Sequence, residues 1–179
     1  MSLTLFLMFV FIVVFVILVK RDKVSFMLGE NNKLVYKLKN TSWFQTHLIS
    51  GIFLFIVNAT LFFSTCLIIY LLTYLLIPFL HLLVMILAVF GSFLLWMIVN
   101  KAWQGTYANR IKMSILGSSF YILLSILFLY WLLTLEPSYP GEDLFMRSIG
   151  LMLGLIVSVV AFLSCLITTG FSFKSKYFF

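Results

Sequence analysis

The stretch that decides the fold is LISGIFLFIVNATLFFSTCLIIYLLTYLLIPFLHLLVMILAVFGSFLLWMIV, residues 48–99, which contains no Asp, Glu, Lys or Arg. As one helix it would extend about 78 Å, whereas the hydrocarbon layer of a bilayer is only ~30 Å thick. The chain must therefore turn. We expect the turn between Tyr70 and Pro78, because tyrosine suits the headgroup level and proline is tolerated in the first turn of a helix. The sequence predicts two transmembrane helices here, at about 49–71 and 78–99.

Three further apolar stretches match the length of a membrane span: residues 3–19, 113–135 and 148–171. The first could instead be a secretory signal, which carries positive charge before its apolar part and small residues at its cleavage point. Met1-Ser2 has no charged side chain and Leu18-Val19-Lys20 is not a small-residue site, so we expect a retained helix. The predicted fold is all-α, a polytopic membrane helix bundle with five transmembrane helices that forms a single membrane domain over residues 1–179.

The composition agrees with a membrane protein. Hydrophobic residues make up 64% of the chain and charged residues only 9%, where soluble domains carry about 25%. Too little polar material is present to cover a soluble fold of this length. A net charge of +7 could indicate nucleic-acid binding. The basic residues lie between the apolar runs, however, as they do in cytoplasmic loops of membrane proteins, so nucleic acid is not an expected partner.

Sorting of the cations predicts the orientation. The basic loop 20–47, the loop 101–112 and the tail after residue 171 hold six, three and two of the twelve Lys and Arg residues. The acidic loop 136–147 holds the remaining one, Arg147, with three of the five acids. The positive-inside rule then places the N-terminus outside and the C-terminus in the cytoplasm. We expect a multi-pass protein of a cell membrane, and the abundance of Phe, Leu, Ile and Lys favours a bacterial plasma membrane.

The basic loop 20–47 leaves two alternatives open for residues 33–39, which mix apolar and basic side chains. They could lie on an anionic leaflet as an interfacial segment or form a solvated loop. Ser42 and Gln45 have the spacing of a capping box, so we expect the second transmembrane helix to begin there. The four tryptophans are all predicted near the membrane interfaces; they are Trp43, Trp96, Trp103 and Trp131.

Polar residues inside the predicted spans are few, and none in the middle of a span is charged, which argues against proton pumps and ion-coupled transporters. Asn58 and Thr60 lie near the middle of the second helix, where we expect an interhelical hydrogen bond in preference to a ligand site. His81 lies near the outer interface and is a weak candidate for a metal ligand or a pH-responsive group. Cys66 and Cys165 are predicted at opposite membrane faces, too far apart for a disulfide.

Small residues recur at four-residue spacing in the last helix, at Gly150, Gly154 and Ser158. Such a stripe lets helix backbones approach closely in lipid. Gly117 and Ser118 belong to a complementary face of the fourth helix, so we expect these two helices to pack as antiparallel neighbours. Contact of the same stripe with another subunit is the alternative.

No motif for catalysis, for a cofactor or for a metal occurs in the sequence, so we expect none of these. The leading hypothesis is an accessory, immunity or regulatory component that acts by packing its helices against membrane partners or a second copy of itself. One alternative is a small oligomeric transporter or channel lined by groups such as Asn58 and Thr60. A second alternative is a membrane-bound enzyme that uses the acidic outer loop 136–147.

Overall fold

The computed structural model describes residues 12–16, 18–19, 33–76, 79–137 and 143–171, and no strand occurs in these ranges. A short helix α1 and a 3-10 turn precede four long helices. The elements are α1 (Lys33–Lys39), the 3-10 turn (Ser42–Gln45), α2 (His47–Tyr74), α3 (Leu80–Ala102), α4 (Tyr107–Leu133) and α5 (Leu144–Gly170).

Each of α2 to α5 is long and apolar enough to cross a membrane, with 28, 23, 27 and 27 residues. These four helices overlap the four predicted spans from residue 49 onward and indicate a membrane-embedded protein, although α4 begins at Tyr107, inside the predicted loop 101–112. Of the predicted first span, 3–19, residues 12–16 and 18–19 are described; they are helical and Val14 is buried among core side chains. The rest of that span lies outside the described residues.

The connection between α2 and α3 lies at the end of the interval predicted for it, Tyr70 to Pro78, and extends one residue beyond it. Helix α2 ends at Tyr74, and α3 begins at Leu80. Leu76 and Phe79 adopt left-handed backbone conformations with φ of 54° and 64°, which non-glycine residues rarely do. Pro78, expected in the first helical turn, lies outside the described residues. Both left-handed residues lie between the end of α2 and the start of α3.

The predicted capping box is wrong. Ser42–Gln45 forms a separate 3-10 turn, α2 begins only at His47, and Thr46 makes no side-chain capping bond there. The side chain of Gln45 instead forms hydrogen bonds with two other segments of the chain. Its amide donates to the carbonyls of Lys39 and Ala102, each at 3.2 Å, and its Oε1 accepts from the Gln104 N–H at 2.9 Å. Gln45 therefore ties the end of α1 to the end of α3.

The four long helices form a ring in the order α2, α4, α5, α3, since α4 and α3 each contact both α2 and α5. Helices α2 and α4 run parallel, because Gly51 lies beside Leu116 and the Phe62 ring lies 5.8 Å from that of Phe120 further along both helices. Helices α4 and α5 run antiparallel, as shown by hydroxyl contacts that are described below. The ring therefore includes one pair of parallel neighbours, α2 and α4, and one pair of antiparallel neighbours, α4 and α5.

The buried core is concentrated at one end of the bundle, which we call the packed end. It contains the first halves of α2 and α4 and the second halves of α3 and α5. Its large apolar side chains with at most 3% exposure are Phe44, Leu54, Phe93, Trp96, Met97, Val99, Trp103 and Met113. At the opposite end, which we call the open end, most side chains of all four helices are exposed or half-buried.

Two of the tryptophans predicted at interfaces are core residues. Trp96 and Trp103 are each only 3% exposed, and both belong to the central apolar cluster. Trp43 and Trp131 are exposed, at 41% and 47%. Both indoles therefore pack against other helices, and the Trp96 indole meets a polar side chain of α2; the depth of the four tryptophans in a membrane stays a prediction.

Close approach of α2 and α4 depends on two glycines that accept leucine side chains from the facing helix. A Cβ atom at Gly51 would lie 2.9 Å from Leu116 Cβ, and one at Gly117 would lie 2.7 Å from Leu54 Cβ. Real Cβ atoms do not come so close, so any larger residue would push the helices apart. The two contacts are reciprocal and fix the register of α2 against α4.

We predict that Gly117→Ala lowers the free energy of unfolding by about 1–3 kcal/mol, because the added methyl overpacks against Leu54. Gly150→Ala is the matched control, since a Cβ there meets nothing within 4 Å. Replacing a helical glycine by alanine in open space should leave stability unchanged or raise it by up to about 1 kcal/mol. Thermal unfolding of both variants in detergent measures the difference, and equal destabilisation would contradict the packing described here.

Candidate functional site

Asn58 lies at the centre of the packed end, on the face of α2 that points into the bundle, and is fully buried. Its Oδ1 accepts a hydrogen bond from Trp96 Nε1 of α3 at 2.8 Å. Its Nδ2 donates to the carbonyl oxygen of Gly117 on α4 at 3.0 Å and lies 3.6 Å from Cys165 Sγ on α5. One side chain of α2 thus contacts the three other long helices.

This arrangement explains how an amide group is accommodated inside the bundle. A polar side chain in hydrocarbon has no water to bond, so it needs partners on neighbouring helices. Both ends of the Asn58 amide have such partners, and the Trp96 indole has its single N–H satisfied as well. The predicted interhelical role of Asn58 agrees with these contacts; its main partner, Trp96, was not predicted.

A seam of hydroxyl groups joins α4 to α5. Ser114 Oγ lies 2.5 Å from Thr169 Oγ1, and Ser125 Oγ lies 2.8 Å from Ser158 Oγ. The sequence numbers fall along α5 as they rise along α4, so these helices are antiparallel, as the short link between them suggested. Each pair is also bonded to backbone, for example through Thr169 to the carbonyl of Cys165 at 2.7 Å. Hydroxyl groups therefore supply the polar contacts along most of this interface.

The small residues singled out on α4 and α5 have different surroundings. Ser158 belongs to the hydroxyl seam, and a Cβ atom at Gly154 would lie 3.1 Å from the Phe128 ring of α4. Gly117 faces Leu54 of α2, while Ser118 is buried and bonds to the Ser114 carbonyl of its own helix at 2.8 Å. Contact of this stripe with another subunit stays a prediction.

Gly150 differs from the other members of the stripe. A Cβ atom there would meet nothing within 4 Å, and the residue is exposed. It makes no close helix contact in the described part of the chain.

Thr60 and His81, the other polar candidates, lie away from Asn58. Thr60 is exposed, and its hydroxyl donates to the Ile56 carbonyl of the preceding turn at 2.8 Å. His81 is half-buried in the first turn of α3, at the open end. Cys66 is exposed and Cys165 is fully buried, and the two thiols are free. The structure therefore does not assemble these residues into one polar site.

A second polar cluster closes the packed end, around Asn100 near the end of α3. Its Nδ2 lies within hydrogen-bond distance of three carbonyl oxygens at the end of α5, those of Thr168 (2.8 Å), Thr169 (3.1 Å) and Phe171 (2.9 Å). The last carbonyls of a helix have no partner within it, so a donor from another helix stabilises them. Asn100 therefore caps α5 from α3.

Arg110, in the first turns of α4, completes this cluster. Its guanidinium donates to Asn100 Oδ1 at 3.3 Å and to the Trp103 carbonyl at 3.1 Å. Sequence reasoning placed Arg110 in a cytoplasmic loop and gave Asn100 no role. The available signal was an asparagine next to Lys101 at the predicted end of a span, where a capping side chain is common.

The polar groups at these sites bond to one another and to the backbone. Among the described residues, no three His, Cys, Asp or Glu side chains are grouped as a metal site would require. Within the same ranges, two buried side-chain atoms have no hydrogen-bond partner, Trp103 Nε1 and Thr168 Oγ1. The two asparagines and the hydroxyl seam are all bonded to protein groups. Together they hold the four helices in register.

Comparisons with known proteins do not add a family to this picture. No protein-family model matches the chain, and searches against curated proteins and solved structures found no match.

We predict that the Asn58–Trp96 contact is energetically coupled. Asn58→Leu and Trp96→Phe should each destabilise the protein, and a double-mutant cycle should give a coupling free energy of about 0.5–2 kcal/mol, the range of hydrogen bonds between membrane helices. Unfolding in mixed SDS micelles, followed by circular dichroism, provides the measurement. Thr60→Val on the exposed face of α2 is the control and should change stability by less than about 0.5 kcal/mol. Additive effects of the two core substitutions would show that the hydrogen bond contributes nothing.

Proposed function

We propose that this chain is a non-enzymatic component of a cell membrane, crosses the bilayer five times and acts by packing against a membrane partner. The N-terminus is outside and the C-terminus is cytoplasmic, so the packed end faces the cytoplasm. Two observations support this topology. The described residues of the first apolar run are helical with Val14 in the core, and six of the seven described Lys and Arg residues lie at the packed end.

Reporters at two positions test the topology. A cytoplasm-active reporter fused after Val19 should be active, and the same reporter inserted within residues 137–141 should be inactive, because an odd number of spans separates the two sites. A cysteine placed within residues 137–141 should react with a membrane-impermeant reagent added outside, and one placed after Val19 should not react. Activity at both positions would contradict the five-span arrangement.

The proposed role as a partner-binding component is supported by the two faces of α2. The inward face carries Asn58, whose hydrogen bonds are all made inside the bundle. The outward face carries a groove of about 430 Å³. Its lining residues belong to α2 alone, so no other described helix fills it. The inward face serves the fold, which leaves the outward face available for another molecule.

The groove combines small and large lining residues. Ala59, Thr60 and Ser64 are small, and Ile56 and Phe63 are larger. Small residues at helical spacing allow the backbone of a second helix to come close, and in lipid such packing drives association. The hydroxyl groups of Thr60 and Ser64 are bonded to carbonyls of their own helix, so an apolar partner surface would leave neither unsatisfied. The groove is the observation that carries this proposal.

We predict that Thr60→Leu, which fills the groove, weakens partner binding about tenfold, a loss of ~1.4 kcal/mol that overpacking readily produces. Thr73→Leu is the matched control. It is also exposed on α2 and also bonds the carbonyl four residues earlier, at 2.9 Å, but lies outside the groove. A photo-crosslinking residue placed at 60 should form an adduct in membranes, and one at 73 should not.

The identity of the adduct separates the competing functions. A heterologous membrane protein that copurifies with the wild-type chain and is lost in Thr60→Leu supports the accessory role. An adduct with a second copy supports an oligomer and calls for a flux assay in proteoliposomes. Two outcomes would contradict the proposed function. One is flux in proteoliposomes that contain this chain and no other protein, and the other is the absence of any adduct specific to position 60.

A further inference from the structure

A cleft of about 530 Å³ opens at the open end, between the end of α4 and the start of α5. Trp131 and Thr134 line it from the α4 side, and Arg147, Gly150 and Leu151 line it from α5. It therefore combines a cation, a hydroxyl, an aromatic ring and an aliphatic surface in one recess. This is the pattern that an amphipathic ligand would match.

Among the described residues, Arg147 is the one Lys or Arg that lies at the open end of the bundle. The six other described Lys and Arg residues all lie at the packed end, three on α1 and three near the end of α3 and the start of α4. From Arg147 to the end of α5 at Gly170 is 23 residues, or about 35 Å of helix. With ~30 Å of hydrocarbon to cross, Arg147 lies at the level of lipid headgroups when the packed end is at the other surface.

Gly150 keeps the cleft open. A glycine inside a helix costs up to about 1 kcal/mol relative to alanine, and one usually finds it where backbones approach closely. Here a Cβ atom would meet nothing within 4 Å. Arg147, Gly150 and Leu151 are spaced i, i+3 and i+4, so the three share one face of α5. The missing side chain leaves a slot one turn deeper in the membrane than the guanidinium.

We propose that this cleft binds one phospholipid, with its phosphate on Arg147 and an acyl chain in the slot over Gly150 and Leu151. The guanidinium has five N–H donors in a planar fork that matches phosphate oxygens, so it binds a phosphate while it keeps a contact within the protein. The nearest described acid along α5 is Asp143, which caps the helix by accepting from the Phe145 N–H at 2.8 Å. The phosphodiester is therefore the part of the headgroup that the guanidinium recognises.

Native mass spectrometry of the full chain in detergent, titrated with dioleoylphosphatidylglycerol, tests the proposal. The wild type should retain one lipid, and Arg147→Gln and Gly150→Leu should each weaken its binding about tenfold. Lys112→Gln removes an exposed cation at the packed end. Gly91→Leu fills open space at the other described helical glycine that has nothing within 4 Å. Both controls should bind like the wild type.

Each outcome decides between a lipid site and its alternatives. Equal weakening in the controls, or none in either cleft variant, would overturn the proposal. Loss in Arg147→Gln alone would overturn the placement of the acyl chain in the slot. Displacement of the lipid by an equal concentration of inorganic phosphate would show a simple anion site instead. Partner binding through the α2 groove is measured separately, so failure of one proposal leaves the other intact.

Discussion

The need to satisfy a buried amide group constrains the whole packed end of the bundle. In hydrocarbon an unpaired amide is costly, and Asn58 has no route to water because it is fully buried. Its two polar atoms require a donor and an acceptor within hydrogen-bond distance, which restricts the rotation and axial position of the neighbouring helices. The Trp96 indole and the Gly117 carbonyl meet that requirement from two different helices.

Gly117 connects this polar requirement with apolar packing. Because it has no side chain, Leu54 can lie against its backbone, and the same close approach brings the Gly117 carbonyl within reach of Asn58. The hydroxyl seam then joins α5 to α4, and Asn100 with Arg110 closes the ends of α5 and α3. The bonded polar groups of the packed end thus hold the helices together, and other residues line the groove of α2 and the cleft beside Arg147, where we propose binding.

Much of the fold could be predicted from the sequence, and less of the site. The four long apolar helices follow from apolar length, and the approximate place of the turn between the first two of them follows from the tyrosines and Pro78. The interhelical role of Asn58 was predictable, since an amide in a span needs a partner wherever that partner lies. Trp96 could not be identified as the partner, because tryptophan also suits a membrane interface and only helix rotation distinguishes the two positions. Gly150 and Gly154 belong to one sequence pattern, yet one lies against Phe128 and the other faces open space.

The sequence by itself determined that the chain forms long apolar helices. A segment that crosses the hydrocarbon layer must be apolar over its whole thickness and must satisfy its backbone groups internally, and both properties depend on the segment alone. It also determined which loops carry the cations. The tertiary structure decided which helices are neighbours, which faces they share and where the bundle opens. Those properties depend on contacts between residues far apart in the chain, such as Leu54 with Gly117 and Asn100 with Thr168. Hydropathy does not predict these contacts, because nearly every face of these helices is apolar.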